Sequence, residues 1–343
     1  MAAAVMVTGG AGFIGANVAC ALLRRGRDVV VVDDLSTGHR EAVDRLRCLS
    51  AAGHMLEFVC CRVGDAGQVG QVIRRHRVGT VVHTAGLTSV AESMTQPLRY
   101  VSGNVAQSVA LIEASIDAGV RGFIFSSSAA VYRPCDSMPI QETSAIGPIS
   151  VYGTSKAWVE QVLLEAARAH GISYAALRFF NAAGADLRVG LGEDHTPETH
   201  LIPRAIDAAL RRSTELEIFG DDFETPDGTA ERDYVHVCDL GEAHALALDK
   251  LEGDAQWCIA LNLGGGQRYS VREVLKIVAT VTGLAVPVRV CPRRSGDPPR
   301  LEADINRAAE VLGWQPEMSS IERMVETAWR WRLANPGGYR KGP

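Results

Sequence analysis

A glycine-rich turn between two apolar segments near the N-terminus constrains the fold of this chain more than any other feature. Residues 5–8 form a short β-branched run, Gly9, Gly12 and Gly15 punctuate the turn, and the apolar segment "DVVVVDD" follows at residues 28–34. An uninterrupted apolar run is typical of a parallel strand that is covered on both faces. Glycines in a strand-to-helix turn let a pyrophosphate approach the positive end of the helix. The pattern therefore predicts the first β-α-β unit of a nucleotide-binding sheet.

The same alternation of strand and helix continues along the chain. Strands are predicted over residues 55–63, 78–86 and 121–132, with helices over 66–76 and 104–119. Asp33 closes the second strand, where a carboxylate accepts ribose hydroxyls and repels a 2′-phosphate, which favours NAD over NADP. Repeated βα units imply an α/β fold with a doubly wound parallel Rossmann sheet and ligands at the carboxyl ends of its strands.

Composition excludes several classes of function. The chain has 343 residues and a formal net charge of −5, which argues against a nucleic-acid surface because phosphate binding needs clustered Lys and Arg. No apolar run approaches the ~20 residues that cross a bilayer, and the N-terminus lacks the basic region of a signal peptide. The eight cysteines show no CxxC spacing or disulfide framework. We therefore expect a reduced cytoplasmic protein that binds no membrane, nucleic acid or metal.

A tyrosine and a lysine stand one helical turn apart in "SVYGTSKAWVEQVL", so that Tyr152 and Lys156 share a face of the predicted helix. An ammonium beside a phenol favours the phenolate and lowers its pKa from about 10 toward neutrality, which makes a base for an alcohol. Ser126 and Ser128 lie where the fifth strand ends, 24 residues before Tyr152 in the case of Ser128. The end of the fifth strand, the helix with Tyr152 and Lys156, and the glycine turn together predict a single site.

These motifs resemble those of the UDP-glucose (UDP-galactose) 4-epimerases, in the extended short-chain dehydrogenase/reductase superfamily. The resemblance runs nearly end to end and includes "TGGAGFIG", "FIFSSSAAVY", "YGTSK" and "FGDDFETPDGTAERDYVHVCDL". It implies that Tyr152, as phenolate, takes the proton of the sugar C4 hydroxyl while hydride passes to NAD. Ser128 would bond that oxygen, and Lys156 would hold the nicotinamide ribose and keep the tyrosine pKa low. A transient 4-ketose would then turn and take the hydride back on its other face.

The resemblance also implies a set of binding residues, two domains and a homodimer. The cofactor residues would be Gly9, Gly12, Phe13, Ile14, Gly15, Asp33, Asp34, Ser36, Thr37, Gly38, Arg62, Val63, Thr84, Ala85, Gly86, Thr88, Asn104, Ser126, Tyr152, Lys156 and Phe180. The UDP-sugar would meet Ser128, Tyr152, Asn181, His200, Leu201, Glu217, Ile218, Phe219, Arg232, Arg294, Asp297 and Leu301. Residues 1–180 would bind NAD and residues 181–343, a smaller α/β domain, the nucleotide sugar, with segments near 235–265 returning to the first domain. Helices near 104–118 and 153–170 would form the dimer.

Several positions depart from the pattern of this family near the cofactor. Arg62 stands where relatives place an aspartate on the adenine amine, and the nearby Asp65 restores it only if three residues are deleted. Thr88, Gly103 and Arg133 replace a lysine, an asparagine and a glycine. We therefore expect NAD to be held more weakly or differently, with Arg62 stacking on adenine or the backbone of Val63 holding it.

Substrate choice stays open at this point. The resemblance places Leu301 at the position that gates sugar size in this family, where a tyrosine restricts the pocket to plain hexoses. Leucine is smaller, so our hypothesis is that an N-acetyl group is admitted. A 4,6-dehydratase needs an acidic pair where Ala129 and Ala130 stand, and a decarboxylase usually has a glutamate near the same place. A 4-epimerase of a UDP-uronate or another modified UDP-sugar remains possible, as does a nucleotide-sensing regulator without activity.

Overall fold

The computed structural model describes residues 3–50, 53–135, 137–254, 256–294 and 297–339. The strands of the described chain are β1 (Ala4–Thr8), β2 (Val29–Asp33), β3 (Leu56–Cys60), β4 (Val78–His83), β5 (Gly122–Ser128), β6 (Ser173–Phe179), β7 (Asn181–Ala183), β8 (Leu216–Phe219), β9 (Glu231–His236), β10 (Cys258–Leu263), β11 (Arg268–Ser270), β12 (Val288–Cys291) and β13 (Arg300–Leu301). The α-helices are α1 (Phe13–Arg24), α2 (Arg40–Ser50), α3 (Ala66–His76), α4 (Val90–Thr95), α5 (Pro97–Tyr100), α6 (Gln107–Asp117), α7 (Val151–His170), α8 (Leu201–Ala209), α9 (Val237–Gly253), α10 (Val271–Thr282), α11 (Asn306–Leu312) and α12 (Ile321–Ala334).

A seven-stranded parallel sheet in the order β10-β6-β5-β4-β1-β2-β3 forms the centre of the molecule. The strand order reverses between β1 and β4, so the carboxyl ends of these two strands flank a crevice where doubly wound sheets bind ligands. The predicted doubly wound parallel sheet is confirmed.

The uninterrupted apolar strands follow from burial on both faces. In β2, Val29 and Val31 join a core with α1, α2 and α9, whereas Val30 and Val32 join a second core with α3, α6 and α7. Because successive side chains of a strand point to opposite faces, a strand between two helical layers needs apolar residues at every position.

The predicted helix over 104–119 differs from the structure at its start. Residues Val101–Ala106 form a π-helical turn, and α6 begins only at Gln107. Asn104 lies in this turn and is buried. The turn directs Asn104 toward the loop after β4, a long-range contact that helical periodicity cannot encode.

A smaller region follows β6. Here β9 pairs with β7, β11 and β13, β8 pairs with β12, and α8, α10 and α12 share an apolar core with them. Between β9 and β11 the chain crosses back: α9 packs on α1, and β10 joins the edge of the seven-stranded sheet beside β6. The division of the chain into domains at residue 180 stays a prediction. Among the described residues, no helix combines the length and apolarity that a bilayer crossing requires.

Candidate active site

The glycine turn leaves the N-terminus of α1 open. Gly9 has φ +70°, and a Cβ on it would lie 2.5 Å from the Ala85 nitrogen, while a Cβ on Gly15 would lie 2.2 Å from the Gly9 oxygen. Gly12 is the N-cap of α1, without a side-chain cap and with no acidic residue in the first turn. The free N–H groups therefore remain available to an anion, and the cradle fits a dinucleotide pyrophosphate.

Asp33 is fixed at the end of β2 by two backbone donors. Its Oδ2 accepts from the Ala11 N–H at 3.0 Å and its Oδ1 from the Leu35 N–H at 2.8 Å. Burial raises its pKa, and the two backbone hydrogen bonds oppose that rise. Each carboxylate oxygen keeps a lone pair, so the group can accept ribose hydroxyls as predicted. Gly38 closes over it, since a Cβ there would lie 3.0 Å from Asp33 Oδ1.

The packing of α7 brings Tyr152 to Ser128. Ser150 caps this helix by accepting from the Gly153 N–H at 3.1 Å, and a Cβ on Gly153 would lie 2.2 Å from the Ala130 oxygen. The helix can thus pack closely against the turn that follows β5. Tyr152 is buried, and Ser128 lies close enough to its phenol to favour the phenolate.

The ammonium of Lys156 lies near Tyr152 but bonds the backbone of β5. Its Nζ donates to the Ser126 carbonyl oxygen at 2.8 Å and lies 5.9 Å from the centroid of the Tyr152 ring. Burial raises the pKa of Tyr152, and only the hydrogen bond from Ser128 opposes this rise. Burial lowers the pKa of Lys156 to about 8, with Glu160 acting in the opposite direction. Desolvation thus outweighs any effect of the ammonium, which bonds the Ser126 oxygen, and the lowering of the tyrosine pKa by Lys156 stays a prediction.

Asn104 ties the loop after β4 to α7. Its Oδ1 accepts from the Leu87 N–H at 2.8 Å, and its Nδ2 donates to the Leu87 oxygen at 3.0 Å and to Ser155 Oγ at 3.1 Å. The loop passes close to Lys156, since a Cβ on Gly86 would lie 3.9 Å from its Nζ. Ser155 was missed by the sequence reasoning.

Other predicted cofactor residues have local roles. Ser126 Oγ bonds His244 Nε2 at 3.0 Å, Thr84 Oγ1 donates to the Thr8 oxygen at 2.7 Å, and Asp34 Oδ1 accepts from the Ser36 N–H at 3.0 Å. Phe13, Ile14 and Gly15 form the first turn of α1, and Thr37 belongs to the loop between β2 and α2.

The unusual positions near the predicted adenine site are solvent-facing. The Arg62 side chain is 78% exposed, and its Nε lies 3.8 Å from Asp34 Oδ2. Thr88 is exposed, whereas Val63 is buried. Asp65 Oδ1 accepts from the Gln68 N–H at 3.0 Å as the N-cap of α3. Asp65, the one acidic residue that the sequence offers in place of the adenine-binding aspartate, is therefore engaged as a helix cap. How adenine is held stays a prediction.

Guanidinium groups gather on the side of the smaller region. Arg232 Nη2 lies 3.1 Å from Asp297 Oδ1, and the Arg294 guanidinium carbon lies 3.8 Å from the centroid of the Phe219 ring. Arg204, which the sequence reasoning missed, lies 3.6 Å from Glu217 Oε2. Burial lowers the pKa of Arg294, and the like charges of Arg204 and Arg232 add to this lowering. Such a group suits a polyanion such as a diphosphate.

Further predicted substrate residues pack around this group. Asn181 Nδ2 donates to the Asp233 oxygen at 2.7 Å, and Leu301 pairs with Arg232 in the β13–β9 register. Leu301 also packs against a small core that contains Phe180 and Ala129, next to Ser128. The Ile218 side chain is buried in the core of the smaller region, so only its backbone can meet a ligand.

Four side chains gather immediately before α8. His200, the N-cap of this helix, has its Nδ1 2.7 Å from Glu193 Oε1 and 2.9 Å from Glu198 Oε1, and Leu201 begins the helix. The charge of Glu193 raises the pKa of His200 well above its ordinary value. His195 belongs to the same group. The sequence reasoning singled out only His200 here, although "EDHTPETH" carries a visible signal of alternating acids and histidines.

The open end of α1, Ser128 and the buried Tyr152 lie at the same edge of the sheet, the arrangement of an enzyme that moves hydrogen to and from a dinucleotide. A sequence model described as "NAD dependent epimerase/dehydratase family" matches residues 5–264, and the chain belongs to this family.

Known relatives narrow the class. The chain is 41% identical over 335 residues to a UDP-glucose 4-epimerase of Lactobacillus helveticus, with 98% of each chain covered. A crystal structure of the Stenotrophomonas maltophila UDP-glucose-4-epimerase with bound NAD and formylated UDP-arabinopyranose matches at a TM-score of 0.92 and 38% identity, covering 98% of this chain and 99% of that one. The Bifidobacterium longum UDP-glucose 4-epimerase in complex with NAD+ and UDP matches at 0.92 and 35% identity, covering 98% and 99%. The chain is thus a UDP-glucose 4-epimerase-like isomerase, and its cofactor is NAD.

Proposed function

We propose that this enzyme interconverts UDP-glucose and UDP-galactose by inverting C4 of the sugar through a transient 4-keto intermediate. The observation that carries the proposal is the buried Tyr152 near Ser128, at the same carboxyl edge of the sheet as the open N-terminus of α1. The alanines at 129 and 130 leave no acid–base pair for elimination, which disfavours a dehydratase.

Tyr152 removes the proton of the C4 hydroxyl in this proposal and returns it in the second half of the cycle. Ser128 holds the same oxygen, and its hydroxyl stabilises the phenolate. Bound NAD+ supplies the hydride acceptor and a positive charge. Lys156, anchored on the Ser126 carbonyl, has N–H donors left for the nicotinamide ribose. Because burial alone raises the pKa of Tyr152, its lowering is assigned to the cofactor-loaded enzyme.

The arginine group binds the diphosphate in this proposal. Arg232 and Arg294 meet phosphate oxygens, and Asp297, now paired with Arg232, is released to the uridine ribose. The remaining substrate contacts come from Asn181, from His200 and Leu201, and from the strand Glu217–Phe219.

The direct test uses the cofactor-loaded protein with UDP-glucose and follows the sugar anomeric signals by NMR without added cofactor. We expect UDP-galactose to form until equilibrium is reached. Tyr152→Phe should reduce kcat by at least ~10²-fold, since one positioned acid–base group contributes about that much. Tyr174→Phe is the matched control, because Tyr174 packs in β6 within a core of the large sheet. Full turnover by Tyr152→Phe would overturn the mechanism.

A UDP-N-acetylhexosamine is the second candidate substrate. Leu301 lines the small core that contains Phe180, and a leucine leaves more room there than a tyrosine. Parallel assays with UDP-N-acetylglucosamine and UDP-glucuronate decide between these sugars. If neither gives a new anomeric signal, plain hexoses remain the substrates.

We also propose a homodimer in the cytoplasm. Apolar side chains are exposed on neighbouring helices: Leu98 by 80%, Met94 by 57% and Trp158 by 50%, on α5, α4 and α7. Large exposed apolar side chains on helices that pack together are typical of an interaction surface. All eight cysteines are free thiols, which fits a reducing compartment.

A further inference from the structure

Two glutamates and two histidines form a compact cluster in the segment between β7 and α8. Glu193, His195, Glu198 and His200 each offer one ligand atom, and these four atoms lie within 4.8 Å of one another. Beyond the proposed epimerase activity, we propose that this cluster binds one divalent transition metal ion, with Zn²⁺ as the probe. This departs from the expectation of no metal, which rested on the absence of CxxC spacing.

The two distances from His195 fit a tetrahedral ion. Zinc bonds to imidazole nitrogen and carboxylate oxygen are about 2.0–2.2 Å long, which places neighbouring ligand atoms roughly 3.3–3.5 Å apart. His195 Nδ1 lies 3.3 Å from Glu193 Oε1 and 3.5 Å from Glu198 Oε2. His200 Nδ1 is closer to the carboxylates, at 2.7 Å from Glu193 Oε1 and 2.9 Å from Glu198 Oε1. His200 would need to retreat from Glu193 Oε1 by roughly half an ångström.

His195 gives an independent reason to expect a ligand. Its Nδ1 is buried and has no hydrogen-bond partner of acceptable geometry, although two carboxylates are near it. A buried polar atom without a partner is costly, and a metal ion on this lone pair would satisfy it. The donor set of two imidazoles and two carboxylates is one that zinc and related ions accept, whereas magnesium and calcium prefer oxygen alone.

One carboxylate is already oriented by the backbone. Glu198 Oε1 accepts from the Thr199 N–H at 2.7 Å and from the His200 N–H at 2.8 Å, which leaves Oε2 for an ion. Such contacts fix a ligand before the metal arrives. Each histidine would bind through Nδ1 as the neutral ring with its proton on Nε2, and any Nδ1 proton would be released to solvent.

Neighbouring contacts show what the ion would hold in place. Asp194, inside the cluster segment, accepts from the Tyr339 N–H at 2.8 Å, and its backbone oxygen contacts His39 Nε2 at 2.9 Å. His39 follows Gly38 of the predicted cofactor loop. An ion in the cluster would therefore join the start of α8 to that loop and stabilise both.

The test measures binding of Zn²⁺ alone, without UDP-sugar, so its outcome is independent of the proposed reaction. Chelator-treated, dialysed protein is titrated with Zn²⁺, and bound metal is counted by mass spectrometry; Co²⁺ substitution reports coordination by visible absorption. We expect one ion per chain, tetrahedral Co²⁺ bands without thiolate charge transfer, and a higher melting temperature with Zn²⁺.

His195→Gln should weaken this binding by at least tenfold, whereas His170→Gln, on the exposed end of α7, should leave it unchanged. If His195→Gln proves unstable, the melting shift and the Co²⁺ spectrum of the parent protein decide. The proposal is overturned if no Zn²⁺ is bound at micromolar free metal. It is equally overturned if the Co²⁺ spectrum shows thiolate ligands, or if a folded His195→Gln binds as well as the parent.

Discussion

Burial of the Lys156 ammonium destabilises the fold, and the size of this effect follows from the structure. The side chain is buried between β5 and α7, and its Nζ donates one hydrogen bond, to the Ser126 oxygen at 2.8 Å. Burial lowers its pKa from 10.5 to about 8, although Glu160 opposes this. At about 1.4 kcal/mol per pKa unit, the protonated side chain destabilises the cofactor-free fold by roughly 3 kcal/mol at neutral pH.

Replacing Lys156 with Met removes the charge and keeps most of the volume. The unpaired Ser126 oxygen costs about 1 kcal/mol, so Lys156→Met should raise the free energy of unfolding by about 2 kcal/mol near pH 7. Epimerase turnover should fall below detection, because the ribose donor of the proposed mechanism is gone. The more stable protein would be the inactive one.

The pH dependence has a definite sign. Between about pH 8 and 10.5 the unfolded chain keeps the Lys156 proton and the folded chain does not. The unfolded state then binds more protons, so the parent gains stability with rising pH, at about 1.4 kcal/mol per pH unit. Relative to the parent, the advantage of Lys156→Met should be full below about pH 8 and should shrink by about 2 kcal/mol by roughly pH 9.5.

Urea unfolding of cofactor-free parent and variant over this pH range measures the difference. Lys276→Met, on the exposed face of α10, is the matched control and should change stability by less than about 0.5 kcal/mol at every pH. A Lys156→Met variant that is less stable than the parent near pH 7, or a difference that does not change with pH, refutes the reasoning.

Three further outcomes are expected. Gly15→Ala should lose bound NAD in absorbance assays and melt lower, since its Cβ would lie 2.2 Å from the Gly9 oxygen; full NAD content would contradict this. Trp158→Glu should yield monomers in light scattering, because a charge would enter the proposed apolar interface, and an unchanged dimer would exclude this surface. With Arg62 exposed in place of an adenine-binding aspartate, extensive dialysis should leave less than one NAD per chain; stoichiometric NAD would rule out weakened binding.

Local pattern was enough to predict the nucleotide-binding half of the fold. The predicted helix over 66–76 coincides with α3, and β1, β2, β4 and β5 lie where their apolar runs place them. The return of the chain through β10 depends on a pairing with β6, whose partners are about eighty residues apart in sequence. No periodicity within β10 specifies its neighbour, so that placement needed the tertiary structure.

The candidate site, like the fold, was predictable from the sequence only in part. Its motifs identified Ser128, Tyr152 and Lys156, and the spacing of Tyr152 and Lys156 indicated a shared helix face. The sequence could not show that Lys156 Nζ donates to the Ser126 oxygen, because the hydrogen-bond partner of a long side chain depends on which acceptors the packed sheet places near it.

The sequence by itself determined the glycine turn, the uninterrupted apolar strands and the amino-acid types available for catalysis. These depend on the local backbone freedom of glycine and on the composition of single segments. Only the tertiary structure decided that burial raises the pKa of Tyr152 and that Arg204 joins Arg232 and Arg294. It also decided that Glu193, His195, Glu198 and His200 converge. Desolvation and charge grouping arise from elements distant in the chain, and they exist only once those elements have packed together.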